Sequence, residues 1–356
     1  VEVFDFTLPS RSTCVSAFGF SNALAFQYHN VSTEADKRVV LDKYLSLLSE
    51  HHISIYNPAC LDPIQYTWPQ LPLWRGGEGG KDPEKAGDTA PLDTERLNTA
   101  FTPEFDWTNW DAAMTRAFEH YHFNSFSLPV PGLGGGTFHA RHEPELLGYG
   151  ENTPEYKAAF TAWYRAAEAH LREKGWLDEA FIYWFDEPEP DDYDFVMNGF
   201  RKLKEAAPAL NRMLTEEVTP ELVGGPNLWC PVSFNYDHEK AEQRRAEGEK
   251  FWWYICTGPK APYATLFIDH PGTELRVWLW QTWERSIGGI LIWESNYWTS
   301  EAAYPDVPQN PYEDPMGWTS GYSTPAGVRR PWGNGDGRFI YPPLAAANGR
   351  PEGPVL

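Results

Sequence analysis

The sequence predicts an α/β protein folded as a (β/α)8 TIM barrel with long strand-to-helix loops over its active-site mouth. Three observations point there. Eight apolar runs of strand length alternate with helical patterns, as in a parallel sheet closed on itself and wrapped by helices. The long connections follow the second, third and eighth runs, while the helix-to-strand returns are short, so one face is elaborated. A chain of 356 residues suits one such domain.

Taken in order, residues 14–20 (CVSAFGF) read as the first strand. Thr33 and Asp36 begin a helix through His51, with Val40, Tyr44, Leu47 and Leu48 at helical spacing. Residues 53–58 (ISIYNP) are the second strand, and a Pro- and Gly-rich connection fills 59–105. A helix over 107–121 precedes the third strand, 123–130. After a glycine-rich loop, Thr153, Pro154 and Glu155 start a helix that ends at Lys174 before Gly175. The fourth strand, Phe181 to Phe185, runs into Asp186, Glu187 and Pro188. A helix over 192–207 and strand 211–217 follow, then a short turn of helix at Pro220 and strand 228–234. Asp237 caps a helix through Glu249, strand 251–258 comes next, and a helix over 271–286 precedes the eighth strand, 288–298. From 299 onward there is little periodicity. The catalytic barrel is expected over 1–345, with 346–356 a tail leading to a missing or trimmed segment.

Composition narrows the partners. A formal charge of −21 repels nucleic acid. No apolar run reaches the length of a membrane span. Cys14, Cys60, Cys230 and Cys256 lack metal spacing and read as buried free thiols that leave the compartment open, with a secreted or periplasmic setting favoured. The 17 Trp, 18 Tyr and 20 Phe fill a core, and many beside Gly, Pro and Asn are candidates for stacking on a ligand. No cofactor is implied: the glycines at 132–136 lack the Lys-Ser or Lys-Thr of a phosphate loop and read as a flexible rim. The histidine pairs His139/His142 and His120/His122 fit no metal motif and read as solvated.

The chemistry concentrates at FIYWFDEPEP, residues 181–190. Two adjacent carboxylates at the end of a buried strand are costly unless used or paired. The plainer reading, that they cap the next helix, competes poorly because Asp191 and Asp192 already stand further along. A carboxylate pair suits glycoside hydrolysis, in which an acid protonates the leaving oxygen. A second carboxylate about 5 Å away across the bond is the ordinary retaining nucleophile. Strand seven ends in CTGPK without one, leaving Glu216, Glu217 and Glu294 as alternatives. Adjacent Asp and Glu also suit catalysis assisted by a substrate's own 2-acetamido group, which needs aromatic walls and a donor such as Tyr. Tyr254, Trp280, Trp293 and Trp298 are candidates for those.

The succession FGF, WFDEP, FWWYICTGP and GGILIWESNYW resembles glycoside hydrolase family 123 over roughly residues 14–345. The resemblance implies a retaining exo-β-N-acetylgalactosaminidase acting through an oxazoline on a terminal glycan residue. Asp186 matches the acetamido-orienting Asp and Glu187 the acid/base; Trp253, Tyr254, Trp293, Asn296 and Trp298 match in character. It also implies a β-sandwich before the barrel and more chain after it.

Plainer readings stand beside these. Trp293 and Trp298 serve equally as barrel wall, and Tyr254 as core; Asn57 suits a turn as well as a ligand bond. After strand six, Asp237 reads as a helix cap, with Tyr236 or His238 as substrate contacts. A β-glycosidase of other specificity, or a carbohydrate-binding barrel without catalysis, are the alternative functions.

Overall fold

A computed structural model describes residues 3–69, 99–137, 140–300, 302–315, 317–318, 325–328, 330–331 and 335–344. Seven parallel strands hydrogen-bond side by side in the order Val15–Phe18, Gly289–Ile292, Lys250–Tyr254, Leu228–Trp229, Asn211–Leu214, Ala180–Ile182, Phe126–Ser127. The ring closes through the expected second strand. Ile55 bridges Phe18 in parallel, and the Tyr56 N–H donates to Phe18 O at 2.9 Å. The Ser127 N–H in turn donates to Tyr56 O at 2.8 Å. All eight expected strands are therefore present, each shorter than the apolar run that announced it.

Alternation along each strand sorts side chains between two cores. Ala17, Phe181, Met213, Leu228, Cys230, Trp252, Tyr254 and Leu291 pack together inside the barrel. Their neighbours Phe18, Ile182, Leu214, Trp229, Phe251, Trp253 and Ile292 face out to the helices. The helices follow the sequence closely. Thr33 caps Glu34–Glu50 by accepting from Asp36 N at 3.2 Å, and Thr153 caps Pro154–Lys174, which ends at left-handed Gly175. Asp237 caps His238–Ala246, accepting from Lys240 N at 3.1 Å. Thr108–Glu119, Tyr193–Ala206 and Thr273–Glu284 complete the expected set. Among the described residues the one helical position after the eighth strand is Leu344. An apolar groove of about 550 Å3 runs between Glu34–Glu50 and Thr273–Glu284.

Three expectations change. The fourth run is not one strand: it leaves the barrel after Ile182, and Phe185–Asp186 pairs instead with Gly135–Thr137. Beside the departure, Trp184 packs outward against helix Tyr193–Ala206, where a Cβ on Gly199 would stand 2.3 Å from its ring. The glycine run expected as a flexible rim supplies that partner strand, itself paired with Ala140–His142. Of the four cysteines, all free, only Cys230 is fully buried; the others are half-buried. His139, most of the 59–105 connection and the tail at 346–356 lie outside the described residues.

Where strand one meets strand eight, Gly19 lets the chains touch: a Cβ there would lie 1.9 Å from the Trp293 carbonyl oxygen. A backbone atom cannot rotate away. Gly19→Ala should therefore lower the unfolding free energy by about 3 kcal/mol in urea titration. A loss under about 0.5 kcal/mol, the range of surface changes, would contradict this closure.

Candidate active site

The C-terminal ends of the strands bring one group of side chains over the barrel axis. Tyr183 and Tyr254 point inward in phase with Phe181 and Trp252. Tyr183 donates its phenol proton to Asp186 Oδ1. Thr215, just past the fifth strand, donates to the same oxygen at 3.2 Å. The Thr215 hydroxyl also accepts the Glu187 backbone N–H at 3.0 Å. Glu187 sits in the left-handed region at φ 44°, unusual for a residue with a Cβ. Such strain persists only where the surroundings fix it, and it marks functional positions often enough to be informative. Here it directs the Glu187 carboxylate to Tyr254, whose phenol donates to Oε1. Two adjacent carboxyls thus receive separate partners from opposite sides of the barrel.

Burial differentiates the acids. Glu187 is pushed above the usual carboxylate range chiefly by desolvation; the Tyr254 hydrogen bond opposes this and the neighbouring Asp186 charge adds to it. Glu216, at the end of strand five, is pushed up to about 8 by burial and then by the charges of Glu217 and Glu187. Glu294 is raised by burial, although its carboxylate accepts the Ser295 N–H at 2.8 Å. Asp336, from the loop after strand eight, is pushed up to about 7 by burial, with the Trp293 indole donating to Oδ2 at 2.9 Å. Asp336 and Glu187 both act electrostatically on Cys256, which places the Asp336 loop beside the same mouth.

The structure brings Asp186, Glu187 and Tyr254 together; Trp293 is half-buried after strand eight, and Asn57, at the end of the second strand, is exposed. It sets five other expected contacts elsewhere. Trp253 is out of phase with Tyr254, so it faces outward, stacking on Trp278 and donating to Thr282 Oγ1 at 3.1 Å. Tyr236 packs edge-on against Trp253 outside the barrel and takes a hydrogen bond from Arg245 at 3.1 Å. Trp280 lies on the outer face of its helix, 69% exposed. Asn296 is buried, its amide group paired with the backbone of Ser21 at 2.7 and 2.9 Å. Trp298 is buried against Tyr28 and Tyr44, its indole donating to Ile340 O at 2.6 Å.

Sequence reasoning missed Tyr183, Thr215 and Asp336. The first was legible: two residues after Phe181, it shares that residue's inward face. Thr215 and Asp336 carry no local signal, since only barrel closure and the path of the last loop bring them to the mouth.

Residues 107–350 match the family model for the catalytic domain of glycoside hydrolase 123. Among solved structures, a family 123 glycoside hydrolase from Clostridium perfringens, studied for glycolipid glycan hydrolysis, superposes at TM-score 0.52 with 14% identity. The match covers 92% of this chain and 54% of that one, so the present chain spans about half the length of that structure. A putative glycerophosphoryl diester phosphodiesterase from Silicibacter pomeroyi scores 0.25 at 11% identity, covering 50% of this chain and 49% of its own. Another structure, of a glycoside hydrolase, scores 0.34 at 10% identity, covering 79% of this chain and 88% of its own. No curated protein matches the chain in sequence.

Asp336 gives this site a testable signature. Its folded-state value of about 7 stands above the ordinary 3.8, so the folded protein holds the proton more tightly than the unfolded chain. Stability from this group is present at low pH and is lost as pH rises through about 7. Asp336→Asn keeps an acceptor for the Trp293 indole without the charge. Its melting temperature relative to wild type should rise between about pH 5 and about pH 8. The same difference at both pH values would contradict the buried, proton-holding carboxyl.

Proposed function

The chain belongs to glycoside hydrolase family 123, and from that premise we propose that it is a retaining exo-β-N-acetylgalactosaminidase using substrate assistance. The observation that carries the reading is the adjacent Asp186–Glu187 pair with divergent partners: Tyr183 and Thr215 hold one carboxylate, and Tyr254 holds the other. Neighbouring acids in unlike environments are suited to different roles.

Glu187, raised by burial, is the general acid. It gives its proton to the glycosidic oxygen as the bond to the anomeric carbon breaks. The carbonyl oxygen of the 2-acetamido group forms the new bond to that carbon from the opposite face, closing an oxazoline. Asp186, its Oδ1 already fixed, accepts the acetamido N–H and stabilises the positive charge that develops there. In the second half, water attacks the anomeric carbon, its proton passes to Glu187, and the oxazoline opens with configuration retained. The Tyr254 phenol stabilises the ionised Glu187 in this half. The competing nucleophiles suit the task less well. Glu216, at about 8, holds its proton at neutral pH, and Glu294 is turned onto backbone N–H groups.

Paired aryl β-glycosides of N-acetylgalactosamine and galactose test this reading, with a thiazoline inhibitor in parallel. Cleavage of the acetamido sugar alone, blocked by the thiazoline, is expected. Equal cleavage of the plain galactoside would point to a protein nucleophile and overturn substrate assistance. Glu187→Gln should reduce turnover of substrates with poor leaving groups by about 10²–10⁴-fold, and much less with a good one. Equal losses on both would remove Glu187 from the acid role.

A further inference from the structure

Helix Thr273–Glu284 is apolar on both faces, although a helix on the outside of a barrel needs only one apolar stripe. Its inner stripe is complete: Trp278 and Thr282 are buried, and Leu275 packs against the same core as Trp278. At about 3.6 residues per turn, the opposite stripe runs Arg276, Val277, Trp280, Trp283, Glu284. Val277 is 53% exposed, Trp280 69% and Trp283 81%, and none belongs to a packed core. Single exposed apolar residues are ordinary, but a continuous stripe of them marks an interface.

The stripe is complementary to itself. Trp280 stands at its centre, with Arg276 and Trp283 towards one edge and Val277 and Glu284 towards the other. Let two copies of the helix pack face to face and antiparallel about a two-fold axis at Trp280. Each residue then meets one on its own edge from the other side of the axis. Arg276 meets Trp283 of the second copy, and Val277 meets the aliphatic stem of Glu284. A guanidinium over an indole is a favourable cation–π pair, and antiparallel helix dipoles attract. Among the described residues Arg276 makes no ion pair.

Charge and area both allow a second copy here. The chain carries −21, yet this helix and its cap hold two cations, Arg276 and Arg285, against two anions, Glu274 and Glu284. The touching faces are therefore close to neutral. The two indoles expose roughly 350 Å2 per copy, and with Val277, Leu279 and Arg276 the contact approaches about 1,000 Å2 in total, the scale of a specific interface.

We propose that the chain forms a two-fold dimer through this helix, with Trp280 on Trp280 at the axis and Arg276 on Trp283 of the second copy. The contact lies on the outer helix layer and is independent of the chemistry proposed for Asp186 and Glu187.

Sedimentation velocity of the full chain from about 1 to about 100 μM tests this. The wild type should reach twice the chain mass within that range. Trp280→Glu sets two carboxylates against each other at the axis and should weaken the dimer by about a hundredfold or more. Trp280→Phe keeps a ring there and should weaken it by less than about tenfold. Arg276→Ala and Trp283→Ala should each cost about tenfold, and the double variant little beyond Trp283→Ala, because the two side chains contact each other. Far-UV circular dichroism should be unchanged in every variant, since no changed side chain is in a core. A wild type that stays monomeric to about 100 μM overturns the dimer and leaves the stripe to another occupant. A dimer untouched by Trp280→Glu, or additive losses at Arg276 and Trp283, overturns this contact.

Discussion

The departure of the chain from the barrel at Trp184 is the constraint on which the mouth depends. Ile182 still pairs within the ring, but two residues later the indole of Trp184 is seated in the helix layer against Phe195, Phe200 and the bare backbone of Gly199. The residues that follow pair with Gly135–Thr137. Asp186 and Glu187 consequently stand above the open end of the barrel, where Tyr183, Thr215 and Tyr254 reach them from three strand ends. A continuous fourth strand would alternate two successive residues between the axis and the helices. The departure, with left-handed Glu187, is how both carboxyls come to face the same end of the barrel.

The mouth is rich in acids, and burial keeps them unequal. Desolvation is the largest influence on Glu187, Glu216, Glu294 and Asp336, raising all four. What separates them is the hydrogen bonding each receives. Glu187 has a single phenol and a charged neighbour, which leaves it near the condition of a proton donor. Glu294 is turned inward onto the chain that follows it. Asp336 is held by the Trp293 indole, tying the last described loop to strand eight. The aromatic content has a similar division of labour. Most rings fill two packed layers inside and outside the strands, while a few, Trp280 and Trp283 among them, lie outside both.

Much of this was legible before folding. The strand-helix alternation identified the barrel because each apolar run needs cover on both faces, and only helices outside and side chains inside supply it. Capping residues Thr33, Thr153 and Asp237 fixed helix starts through bonds to residues three positions away, a distance at which sequence is geometry. The carboxylate pair was visible because buried charge is too costly to be incidental.

Other features were decided by tertiary structure, for equally physical reasons. Whether an aromatic residue faced the axis or the helices depended on strand phase, which separated Tyr254 from Trp253 although the two are adjacent. Asn296 was consumed by the backbone of Ser21, and Trp298 by a core built from Tyr28 and Tyr44, neighbours more than two hundred and fifty positions away. Thr215 and Asp336 joined the mouth by barrel closure and loop path, where nothing local marks them. The sequence by itself determined the fold class and the helix starts at Thr33, Thr153 and Asp237, and it marked the carboxylate pair, because each follows from periodicity, nearest neighbours or the cost of burying charge. Which partners those acids received was decided only in three dimensions, because contacts across the ring are set by register and closure.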